Sequence, residues 1–127
     1  FTVDHVIPLV QGGADRLRYK FNMAIKEFTK DISPSGEDRL RMRIETEKGR
    51  VVDIVVQYEA KFKDEWHPIV RYDCSHGFLH RDVMLPGGKK EKYPLDISDL
   101  KSALMYAEQD IKDRWQWYKN RYRRRLR

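Results

Sequence analysis

The stretch Arg71-Tyr72-Asp73-Cys74-Ser75-His76-Gly77-Phe78-Leu79-His80-Arg81-Asp82 gathers two histidines, two aspartates, two arginines and the chain's single cysteine. Three chemistries suit such a cluster. A histidine, His76 or His80, oriented by Asp73 can serve as general acid or base, while Arg71 and Arg81 hold a phosphate. That is the composition of a metal-independent ribonuclease site. Alternatively, His76, His80 and either Asp73 or Asp82 can bind a divalent transition metal. Third, Cys74 beside His76 can act as an activated thiolate. Against all three stands a plain reading, in which Arg–Asp pairs lock a hairpin and the histidines cap its turn.

These residues need two strands and a corner to bring them together. Trp66–Cys74 and Gly77–Leu85 read as strands on either side of Ser75-His76-Gly77. Strict alternation puts Trp66, Pro68, Val70, Tyr72 and Cys74 on one face, and His67, Ile69, Arg71 and Asp73 on the other. A hairpin turning at His76 sets Asp73 or Cys74 near His80 across the pair.

The strands before this hairpin are plainer. Leu40, Met42 and Ile44 alternate with Arg39, Arg41 and Arg43, which predicts a half-buried strand with a basic outer face. Val51–Phe62 is rich in β-branched residues and reads as the central strand. Ile25, Phe28 and Ile32 recur at helical spacing, so residues 24–32 are expected to form a short helix, with a strand as the alternative. A last short strand is expected near Glu91–Leu95. After Pro94, Asp96 or Ser98 is expected to cap a helix whose stripe runs Leu100, Leu104, Ala107, Ile111, Trp115, Tyr118 and Tyr122. The fold class is therefore α+β: a four- to five-stranded antiparallel sheet packed against a long C-terminal helix.

The end of that helix is a second constellation. Arg114, Trp117, Arg121, Arg123, Arg124 and Arg125 combine phosphate-binding guanidinium groups with an aromatic ring off the core stripe. The plain reading is a solvated helix end whose cations suit the local dipole.

Composition bounds the rest. The chain has 127 residues, 40% hydrophobic and 36% charged, with a formal net charge of +6. That suits one modest core and anionic partners: nucleic acid, RNA first, or an acidic antitoxin-like protein. A single cysteine makes no intrachain disulfide, which points to the cytoplasm. No apolar run is long enough for a membrane helix. Residues 1–22 differ in texture from the remainder, and Met23 reads as a start; they are expected to be an N-terminal extension ahead of a single α+β domain over 23–127.

Two resemblances follow from quoted residues. Arg71-Tyr72-Asp73, His76-Gly77, His80 and Asp82 together are similar to a motif of small uncharacterised prokaryotic proteins. More distantly the stretch resembles TumE-type toxins of toxin–antitoxin pairs. The resemblance covers roughly residues 38–95 and implies a small RNA-directed or translation-directed toxin; the ribonuclease reading of the site requires no cofactor, and a divalent metal is the alternative. Val3-Asp4-His5-Val6-Ile7-Pro8-Leu9 with Gly12-Gly13 resembles the first half of an HNH nuclease motif. That likeness implies a metal-dependent nuclease, and the later histidine of the motif is missing. The functional expectation is a protein that acts on or binds RNA, as a toxin-like ribonuclease or as a non-catalytic binding module.

Overall fold

A computed structural model describes residues 5–8, 23–74 and 78–126 of the chain. Its elements are β1 (His5–Pro8), β2 (Met23–Asp31), β3 (Asp38–Glu47), β4 (Arg50–Phe62), β5 (Glu65–Asp73), β6 (His80–Met84), β7 (Lys90–Pro94) and α1 (Leu100–Arg124). Strands β2 to β7 pair antiparallel in chain order, and β1 adds to the free edge of β2. The α+β expectation holds, with more strands than the five the sequence suggested.

Local chemistry explains the sequential pairing. The β3–β4 and β4–β5 hairpins turn on two residues each, Lys48-Gly49 (φ 53° and 78°) and Lys63-Asp64 (φ 52° and 66°). Two consecutive positive φ values give the tight turn whose twist matches the strands it joins. Such turns leave no chain for a crossover, so neighbours in sequence become neighbours in the sheet.

One face of this sheet carries the core. Ile54, Val56, Tyr58 and Ala60 alternate along β4 and are fully buried. Against them lie Ala103, Ala107, Ile111, Tyr118 and Tyr122 of α1. The helix starts where a side chain can satisfy its free amides: Asp99 Oδ2 accepts from Ser102 N at 3.2 Å and from Ser102 Oγ at 2.6 Å. Asp99 is thus the cap, one residue beyond Ser98.

Two expectations are corrected. Met23–Asp31 form strand β2, the alternative to the short helix expected over 24–32, in nine-residue register with β3 from Met23↔Glu47 to Asp31↔Arg39. An isolated helix of this length is marginal, whereas an open edge of β3 offers a full ladder. Alternation along β5 also breaks at Ile69. Tyr58 pairs with Val70 but Glu59 with Pro68, which leaves Ile69 as a bulge. Upstream of it the faces are exchanged. His67 turns to the helix, with Nδ1 3.1 Å from the Tyr122 hydroxyl, while Trp66 lies under the Arg39 guanidinium, 3.8 Å from its ring centroid. Downstream of the bulge the expected faces hold.

Candidate functional site

The hairpin of β5 and β6 settles the register. Asp73 pairs with His80, Tyr72 with Arg81, Arg71 with Asp82 and Val70 with Val83. Residues two apart share a face, so Arg71, Asp73, His80 and Asp82 stand together on the side away from α1. His80 Nδ1 lies 3.4 Å from Asp73 Oδ1, and Arg71 Nε donates to Asp73 Oδ2 at 2.7 Å. The expected approach of Asp73 to His80 is present. Asp82 sits beside them, 3.5 Å from Lys90 Nζ and 3.4 Å from Lys92 Nζ. His76 belongs to the turn that lies outside the described residues. So do the HNH-like residues, apart from the backbone of strand His5–Pro8.

Burial limits what this cluster can do. Side-chain exposure is 1% for His80, 9% for Asp73 and 2% for Asp82. A general acid or base must reach the proton it moves. The imidazole is held in a closed polar corner rather than presented to a substrate as large as RNA.

Arg81 does not join this cluster. It pairs with Tyr72 and therefore points to the helix side, with Nη1 3.9 Å from Asp110 Oδ2. The joint phosphate clamp expected of Arg71 and Arg81 is corrected: the sheet lies between them, because adjacent strand positions alternate in face. Arg81 instead borders a buried network that sequence reading missed. Tyr72 and Tyr118 donate to Asp110 Oδ2 at 2.5 and 2.6 Å, and Arg114 Nε lies 3.0 Å from Asp110 Oδ1. Burial first, and then the bond to Asp110, pushes both tyrosine hydroxyls above their ordinary range. They serve as neutral donors. The signal available in sequence was Asp110 at helical spacing from Arg114 and Tyr118.

Cys74 is equally quiet. Its Sγ donates to Asp53 Oδ1 at 3.0 Å, and burial, followed by that bond, raises the thiol above its usual value. An activated thiolate needs the opposite shift.

The arginine-bearing outer face of β3 is neutralised within the sheet. Arg39 Nε lies 2.7 Å from Glu59, Arg41 Nη1 3.8 Å from the same carboxylate, and Arg43 within 3.6 Å of Glu27, Glu45 and Asp53. A groove of about 650 Å³ crosses this face between Arg41, Arg43 and Arg71. Its cations are matched by acids, so the expected basic face is a lattice of ion pairs.

Excess positive charge lies at the end of α1. Helical spacing sets Arg114, Trp117, Arg121 and Arg124 along one flank, beside β7. Trp117 is 55% exposed. The guanidinium carbons of Arg114 and Arg121 stand 5.4 and 5.9 Å from its ring centroid. Arg121 Nη2 donates to Glu91 Oε1 of β7 at 2.6 Å, which anchors this flank to the sheet. Arg125 follows as the exposed C-cap. Arg123 diverges: it lies over Phe62, 5.7 Å from the ring centroid, on the opposite flank. Five of the six residues expected to bind nucleic acid therefore form one surface, and the sixth stands apart.

Residues 23–127 match the model of a family described as a domain of unknown function, DUF7718. No curated protein and no solved structure matches the chain. No helix among the described residues is long and apolar enough to cross a membrane.

Proposed function

The chain belongs to the DUF7718 family, and we propose that it binds single-stranded RNA through the arginine–tryptophan flank of α1. The observation that carries this reading is the exposed indole of Trp117 with the guanidinium carbons of Arg114 and Arg121 at 5.4 and 5.9 Å from its ring centroid. A base stacks on an aromatic face, and flanking arginines meet the phosphates on either side. The base must already be unstacked, which favours a single strand over a duplex. The resemblance of the β5–β6 stretch to RNA-directed toxins puts RNA ahead of DNA.

A second reading, cleavage of RNA at the Asp73–His80 pair, is favoured by one contact, the 3.4 Å approach of the two side chains. Burial of His80 weighs against it, and binding is the reading preferred here.

The test uses a fluorescein-labelled unstructured RNA and its anisotropy on titration with protein. Trp117→Ala should weaken binding by about tenfold or more, the scale of one lost base–aromatic stack at ~1–3 kcal/mol. His80→Ala should leave binding within about twofold. Equal affinity in Trp117→Ala sinks the helix flank as the site. Cleavage of the RNA that disappears in His80→Ala would establish the second reading instead.

A further inference from the structure

The β5–β6 corner carries a site separate from the RNA-binding flank. We propose that Asp73, His80 and Asp82 bind a divalent transition-metal ion, Zn²⁺ or Mn²⁺ by the chemistry of its donors. Each residue offers one ligand atom, and the three atoms lie within 4.8 Å of one another. The sheet supplies this arrangement directly. His80 and Asp82 are two apart on β6 and share a face, and Asp73 is the cross-strand partner of His80. One imidazole nitrogen with two carboxylate oxygens is a mixed set that such borderline cations accept. Bonds of ~2.1 Å in tetrahedral geometry set donors about 3.4 Å apart. His80 Nδ1 and Asp73 Oδ1 already stand at 3.4 Å. The Asp82 carboxylate, whose ligand atom lies within 4.8 Å of the other two, moves inward to complete the set.

An independent observation points to a missing partner at Asp82. Its side chain is 2% exposed, and among the described residues its buried Oδ1 accepts no hydrogen bond. The nearest cations, Lys90 and Lys92, reach it only at 3.5 and 3.4 Å, and their side chains are 49% and 44% exposed. Buried carboxylate oxygens ordinarily have well-aligned partners. Half-exposed lysines can swing to solvent at little cost, so they act as placeholders that a metal displaces. Arg71 serves differently. Its bond to Asp73 Oδ2 at 2.7 Å fixes the carboxylate from outside. Three protein donors leave at least one position for water or a phosphate oxygen.

The lysines make the proposal testable without touching the ligands. Untagged full-length protein, stripped with chelator, is titrated with Co²⁺, Zn²⁺ and Mn²⁺. Co²⁺ absorption reports coordination, and thermal melting reports linkage of binding to folding. One saturable equivalent is expected, with a rise in melting temperature. Asp82→Asn and His80→Gln should weaken binding by tenfold or more. Lys90→Met with Lys92→Met should tighten it several-fold, because two competing cations are gone. The proposal is overturned by the lack of saturable binding to the wild type, or by full affinity in folded Asp82→Asn. Should the ligand variants fail to fold, the lysine variant decides alone: unchanged or weaker binding there removes Asp82 from the site.

Discussion

At the scale of single residues, the chemistry of the β5–β6 stretch follows from which face each side chain meets. Asp73 and His80 share a face because they are cross-strand partners, and that much was legible in the alternation around the corner. What alternation alone could not show is burial. Composition read His80 as a presentable acid or base, whereas the structure leaves its side chain 1% exposed. Cys74 has a similar history. A lone cysteine near histidines suggests a nucleophile, but its real neighbour is Asp53, brought in by the pairing of β4 with β5. A carboxylate disfavours a second negative charge beside it. Cys74 should therefore alkylate with iodoacetamide more slowly than a free cysteine at pH 8. Asp53→Asn should speed the reaction several-fold at that pH; an unchanged rate would show that Asp53 does not hold the thiol protonated.

At the scale of elements, the hairpins and α1 were readable, and β2 and the bulge were not. Helix α1 announced itself through an apolar stripe and an Asp-Leu-Lys-Ser start whose Asp99 caps it. Strand β2 hid because Lys26 and Lys30 occupy positions paired with Ile44 and Leu40 on the core side, which disguises its period of two. Lys30 is accommodated there by Glu108 of α1, an ion pair that ties helix to sheet. The bulge hid because Ile69 and Val70 are both apolar and both fully buried, so a strand pattern absorbs either face. The Lys30–Glu108 tie makes a pH prediction. Burial pushes the Glu108 carboxyl up, but Lys30 and Lys112 outweigh it and hold the group below its ordinary 4.5. A depressed folded value means that the unfolded chain takes the proton first as pH falls. The stabilisation is fully present above the unfolded value and is lost as pH drops through the folded one. Denaturation by urea between pH 6 and 3 should show this loss in the wild type, and Glu108→Gln should flatten that part of the profile. A parallel profile for Glu108→Gln would show that the pair contributes nothing to folding.

At the scale of the whole molecule, charge is separated in a way that composition conceals. A net charge of +6 suggests a basic protein everywhere. Yet the polar face of the sheet is internally matched, whereas residues 114–127 at the end of α1 carry arginines and a lysine with no acidic residue among them. The three tryptophans happen to sample these regions separately. Trp66 lies on the polar sheet face under Arg39, Trp115 packs on the core edge-on to Tyr58, and Trp117 stands on the exposed helix flank. Their indole N–H signals in a ¹H–¹⁵N spectrum, assigned by substitution, report on where RNA lands. On titration with a short single-stranded RNA, the account predicts a saturating shift of the Trp117 signal with Trp66 unmoved. A shift of Trp66 with Trp117 unmoved would place the RNA on the sheet face and contradict it.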